Sequence, residues 1–190
     1  MSDIERRNFG HLLAYHTAPT LLGIKCASLV SLSQIEFDVD EQLCYFNRRT
    51  AARGLKSRVM CGCGGRVLFL IYNEALLEKR LSDGEVRGLL KRFGYGENFT
   101  LEECLDRLSQ RIRGSGEFPH EIGLFLDYPV EDVVGFIRNK GGNYKLCGCW
   151  KVYGSEESAR RTFANYDKCR RYLCNKLNEG ADIYQALKIS

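Results

Sequence analysis

Long apolar runs are missing from this chain. None approaches the ~18 residues that a membrane helix needs, so no membrane span is expected. The opening MSDIERRNFGHLL lacks the basic start and apolar stretch of ~7–15 residues that mark a secretory signal, so export is not expected. G-x-G-x-x-G, G-x-x-x-x-G-K and G-x-S-x-G are all absent, which removes support for the usual nucleotide-binding and hydrolase fingerprints. There is no internal repeat and no long linker. Histidine is scarce, with three residues, and tryptophan occurs once. What is present excludes intrinsic disorder: hydrophobic residues make up 44% and aromatics 11%. The 190 residues suit a single domain, 1–190, with an ordinary core.

Cysteine is the abundant oddity. There are nine, and an odd number cannot form a complete intramolecular disulfide set. Without export, the expected compartment is the cytoplasm, where thiols stay reduced. Charge is segmented. Residues 47–66 carry six bases and no acid. Residues 97–134 have a net charge of −6, and residues 138–178 a net charge of +7. The overall net charge is only +4, so the acidic and basic stretches offset each other and nucleic-acid binding is disfavoured.

Local patterns predict the elements. Ser2 with Glu5 predicts a capped helix to about Tyr15, with Pro19 and Gly23 breaking the segment after it. IKCASLVSL is strand-compatible. A helix starts at Asp38 or Asp40 and stops at Gly54. A hairpin spans 56–72, with GCGG as its turn and RVLFLIY as a strand buried on both faces. Ser82/Glu85 and Thr100/Glu103 predict two further capped helices, and the spacing of the second makes Cys104 a core residue. IGLFL within 120–129 reads as a strand, 130–137 as a helix, and 144–153 as another strand. Ser155 caps a long helix with the stripe Ala159, Phe163, Tyr166, Cys169, Leu173 and Leu177, and a short helix comes after it. The sum is an α+β fold with a mixed or antiparallel sheet of about five strands and six or seven helices.

Several groups are candidates for chemistry. Cys61/Cys63 and Cys147/Cys149 are two Cys-Gly-Cys pairs. On a strand, i, i+2 spacing puts both thiols on one face, and four thiolates suit zinc or an iron–sulfur cluster. Against this, structural zinc sites use wider spacing. His120 and Glu121 follow Pro119 at an element entry, and an imidazole beside a carboxylate can act as a base pair or as metal ligands. His16 precedes a turn, whereas His11 reads as a surface or packing residue. Cys169 and Cys174 lie among Lys168, Arg170 and Arg171, whose charges lower a thiol pKa, although Cys169 also falls on the apolar stripe. Trp150 beside Lys151 can stack on a flat ligand such as a flavin, porphyrin or base, or can simply be core.

HTAPTLLGIKCASLVSL, RVLFLIYNEALLEKRL, HEIGLFLDYPVEDVVGFI and NYKLCGCWKVYG…YDKCRRYLC together resemble the bacterial domain-of-unknown-function family 3793, over nearly the whole chain. The resemblance implies an anaerobic, clostridia-like bacterial source. It singles out His16, Lys25, Ser28, His120, Glu121, Tyr128, Lys151, Tyr166 and Cys169 as the matching polar residues. At Cys61, Cys63, Thr17 and Cys149 this chain departs from the family pattern. The family's genes neighbour flavodoxin-like and iron-uptake genes, so the resemblance points to a metal, haem or redox ligand, with iron, haem or zinc as the cofactors to consider. The site would be built from His16, Lys25, His120, Glu121 and Lys151, with Cys169 nearby. The alternative is a non-catalytic partner that docks a flavodoxin-like or iron-handling protein through its charged segments, with Arg160, Arg161 and Arg171 at the contact.

Overall fold

The computed structural model describes residues 2–114 and 117–189, and the side chain of Cys63 lies outside the described residues. The internal contacts divide the chain into two compact units, Met1–Ala75 with Tyr166–Ser190, and Leu76–Asn165.

The first unit is built on a three-stranded antiparallel sheet. Its strands are β1 (Ala27–Ser33), β2 (Leu55–Cys63) and β3 (Arg66–Asn73), in the order β1-β3-β2. The hairpin turns at Gly64 and Gly65, both at positive φ, which is the reason for glycine there. Central β3 buries Val67 and Phe69 through Tyr72, as an apolar run with a neighbour on each edge should. The β2 register slips between Val59 and Cys61, leaving Met60 as the extra residue. Helices α1 (Asp3–Leu21) and α2 (Val39–Thr50) pack on this sheet, α1 against β1 and β3 and α2 against β2. Phe9, Leu13, Phe46, Phe69, Ile71 and Leu173 belong to its core.

Helix α1 runs on past the expected stop near Tyr15 to Leu21, with Pro19 inside it. A proline there has no N–H for the carbonyl of Tyr15, four residues back. Arg170 Nε donates to that oxygen at 3.0 Å, so the carbonyl is satisfied and the helix continues.

The second unit is mainly helical. It contains α4 (Gly84–Arg92), α5 (Leu101–Arg113), α6 (Ile122–Phe125) and α7 (Val130–Arg138), together with most of α3 (Glu74–Ser82). The Thr100/Glu103 capping box is present in full. At α4 the cap is Asp83, not Ser82: Asp83 accepts from the N–H groups of Glu85 and Val86, while the Ser82 hydroxyl turns back to the Glu78 carbonyl. Cys104 is core, 1% exposed, and burial pushes its thiol up to about 12. Helix α8 (Glu156–Asn178) begins in this unit and continues in the first, where α9 (Ile183–Ala186) ends the chain's regular structure.

The α+β class holds, but the expected sheet of about five strands does not form. IGLFL is the short helix α6. Five apolar residues fit a buried helical turn as well as a strand, and Gly123 lets α6 approach α7: a Cβ there would sit 2.8 Å from Val133 Cγ2. Residues 144–153 fold back on themselves as β4 (Leu146–Cys147) and β5 (Lys151–Val152), a separate two-stranded ribbon. Gly148 allows this reversal. Its N–H donates to the Trp150 carbonyl at 3.1 Å, and a Cβ would overlap the Phe163 ring.

Candidate functional site

The second unit contains a cleft of about 340 Å³. Three pieces of chain form it: the α6 turn, α7 and the β4–β5 ribbon. Each is held by a specific polar contact.

Arg80 of α3 fixes the turn after α6. Its Nη2 donates to the Tyr128 carbonyl at 2.6 Å and its Nε to the Leu124 carbonyl at 3.3 Å, with Asp127 at 3.7 Å. Asp132 of α7 fixes the ribbon. It is 3% exposed, and its Oδ1 accepts from the backbone N–H of Tyr153 at 2.7 Å and of Gly154 at 2.8 Å. Its Oδ2 accepts from the indole N–H of Trp150, also at 2.7 Å. A buried carboxylate with three donors is well satisfied and sets the indole plane.

Aromatic rings make up the wall. Tyr128 stacks on Trp150 at 5.0 Å between centroids, and Phe163, which does not line the cleft, supports Trp150 edge-on at 4.6 Å. His120 meets Phe136 edge-on at 5.0 Å. The Tyr128 hydroxyl donates to the Cys149 carbonyl at 3.4 Å, and burial raises its pKa to about 12, so it stays protonated near neutrality. Lys151 brings an ammonium group to the cleft. Lys151 Nζ donates to the Gly141 carbonyl at 2.7 Å and lies 5.0 Å from the Tyr144 ring centroid and 5.7 Å from that of Phe136. Among the described residues no carboxylate pairs with it.

A family model for proteins of unknown function, DUF3793, matches residues 13–187. The chain belongs to the DUF3793 family. No curated protein and no solved structure matches it.

The residues singled out in this DUF3793 chain divide between the two units. His120, Tyr128 and Lys151 line the cleft together. Glu121 lies next to them in sequence but is wholly buried, bound by the Arg111 guanidinium and by the Tyr95 hydroxyl at 3.3 Å. It anchors α5 to the start of α6, and His120 instead lies 3.8 Å from Glu117. His16, Lys25, Ser28, Tyr166 and Cys169 belong to the first unit. There Lys25 Nζ stands 5.6 Å from the Tyr166 ring centroid, and Ser28 shares a 2.8 Å hydrogen bond with Thr20. His16 is exposed; desolvation and then Arg170 lower its pKa. Cys169 packs on the core, and burial raises its thiol pKa, the reverse of the effect expected from its cationic neighbours.

For the two Cys-Gly-Cys pairs, Cys61 and Cys63 do lie on a strand, although the Cys63 side chain is outside the described residues. Cys147 ends β4 and Cys149 sits in the turn, so the expectation of one strand face fails for them; both are exposed. No group of three or more His, Cys, Asp or Glu positioned for a metal occurs among the described residues. On α8, Arg160 and Arg161 are paired with Glu156 and Glu157 at 3.5 and 2.7 Å, so much of the basic face answers its own acids.

Sequence reasoning missed Asp132, Phe136 and Arg80. A signal for the first two was present: Asp132 and Phe136 are i, i+4 on α7, so an acid shares the apolar side of a helix and needs a buried donor. Arg80 left no such trace, since its partners, the Leu124 and Tyr128 carbonyls and the Asp127 carboxylate, lie far along the chain.

Proposed function

We propose that this DUF3793 protein binds a flat, largely apolar small molecule carrying an anionic group, with flavins as the ligand class of best shape. One observation carries the reading: among the described residues the Lys151 ammonium has no carboxylate partner, and it stands among aromatic rings. A ring system would lie against Tyr128, Trp150 and Phe136, and its anionic group would take Lys151. The cleft volume falls in the range of small-molecule sites. Haem is the next ligand to try, because His120 offers one imidazole at the rim. The reading takes the protein as cytoplasmic, a compartment that suits a cysteine-rich chain.

Trp150 is the single tryptophan, so its emission reports on the cleft alone. The test is a titration of the purified chain with FMN, haem and ferrous iron in turn. Saturable quenching by FMN is expected. Lys151→Gln should weaken it about tenfold, the loss of one charge-assisted hydrogen bond of roughly 1.5 kcal/mol. Absence of saturable change with all three ligands, or equal binding by Lys151→Gln and His120→Ala, overturns the reading.

A further inference from the structure

Another cavity, of about 270 Å³, lies in the first unit and shares no residue with the Lys151 cleft. Three chain reversals surround it: the end of α1, the tight turn Ala51–Arg53 before β2, and the end of α9. Its apolar lining includes Leu21, Leu22, Leu55 and Leu187, and all of these but Leu22 are buried. Its charged lining is Arg53 and Lys188, and no acid lines it. Arg53 Nη2 donates to the Lys188 carbonyl at 2.9 Å, which holds the guanidinium at the cavity. Among the described residues no carboxylate pairs with either cation.

Lys188 sits there against its backbone preference. The end of α1 turns at Gly23 and the Ala51–Arg53 turn at Gly54, both at positive φ. The end of α9 turns instead at Lys188, with φ of 54°. The Lys188 N–H donates to the Gln185 carbonyl at 2.9 Å and the Ile189 N–H to the Tyr184 carbonyl at 2.8 Å, a pair of bonds that closes a helix and usually takes glycine. A side chain in this left-handed position costs stability that glycine would not. What the lysine adds is a second cation beside Arg53. Two like charges at one cavity repel, and an anion between them replaces that repulsion with two attractions. A carboxylate suits the planar guanidinium fork. The leucines ask for an aliphatic remainder. The volume, about nine water molecules at ~30 Å³ each, limits that remainder to a short chain.

We infer that this cavity binds a short-chain aliphatic carboxylate, its carboxylate held by Arg53 and Lys188 and its chain laid on Leu21, Leu55 and Leu187. The site is separate from the Lys151 cleft, and the two readings stand or fall independently.

Methyl NMR spectra of leucine-labelled protein, titrated with hexanoate and with neutral hexanamide at fixed ionic strength, test it. Hexanoate should shift the Leu21, Leu22, Leu55 and Leu187 methyl signals saturably, and hexanamide should bind about tenfold more weakly or less. Arg53→Gln should weaken hexanoate about tenfold, the scale of one charge-assisted hydrogen bond. Lys188→Gly separates binding from folding. Glycine relieves the left-handed position, so the melting temperature should hold or rise while hexanoate binds severalfold more weakly. The inference is overturned if hexanoate gives no saturable shift of those methyls, if hexanamide binds as tightly, or if both variants bind hexanoate like the parent.

Discussion

Asp132→Asn is the sharpest probe of how the cleft is held. The change keeps the size of the side chain and replaces one carboxylate oxygen with an NH2 group. With the amide oxygen kept toward Tyr153 and Gly154, the NH2 faces the Trp150 indole N–H, donor against donor. One buried donor left without an acceptor costs about 1–3 kcal/mol. The two backbone bonds survive but lose their charge assistance, for about 0.5–1 kcal/mol each. The total is roughly 2–5 kcal/mol, a large part of the ~5–15 kcal/mol that a domain has. Urea unfolding followed by Trp150 emission reads this directly, with far-UV circular dichroism in parallel for the whole chain. The midpoint should fall while the denaturant slope stays the same. A cycle with Trp150→Phe, read by circular dichroism, should return a coupling of about 1–3 kcal/mol between the two side chains. A change within about 0.5 kcal/mol for Asp132→Asn, the size of an ordinary surface substitution, would mean that the carboxylate does not hold the ribbon.

Three other outcomes are expected. Gly148→Ala should destabilise the second unit by about 1–3 kcal/mol, because the new methyl overlaps the Phe163 ring that packs on Trp150; the same Trp150-detected melt checks it. Iodoacetamide labelling of the native protein with peptide mapping should modify exposed Cys44, Cys147 and Cys149 first, and buried Cys26 and Cys104 only on unfolding. In alkali, the Cys104 thiol and the Tyr128 hydroxyl keep their protons in the folded state up to about 12, from ordinary values of 9.0 and 10.0. Their folded pKa values are raised, so this stability is fully present below pH 9 and is lost as pH rises toward 12. Urea midpoints across that window should therefore drop, and Cys104→Ala should flatten the early part of the fall.

Much of the architecture was legible where the signal was local. Thr100 with Glu103 marks its cap by spacing alone, and Gly64–Gly65 between two apolar runs marks a hairpin. The stripe from Ala159 to Leu177 reads correctly because helical period and burial agree over several turns. Failures came where tertiary contacts override local preference. Pro19 stays in its helix because Arg170, far along the chain, takes the carbonyl that proline leaves unmatched. IGLFL becomes helix because Gly123 packs against Val133, a contact invisible in a run of five apolar residues. Part of the cleft was legible too: His120 stood out at the entry to an element, Trp150 and Lys151 as an aromatic beside a cation, and Tyr128 through the family resemblance alone. Glu121 was misleading, since adjacency to His120 in sequence turns it the other way, onto Arg111. Asp132, which holds the ribbon, has its partners some 18–22 residues onward and gave only the faint sign of an acid on an apolar helix face.

The claim that the second unit's cleft is a ligand site is tested most directly by a crystal structure of the protein grown with FMN. We expect the ring system against Tyr128, Trp150 and Phe136, with an anionic group of the ligand within hydrogen-bond reach of Lys151 Nζ. FMN bound elsewhere on the chain, with the cleft empty of it, would contradict that claim.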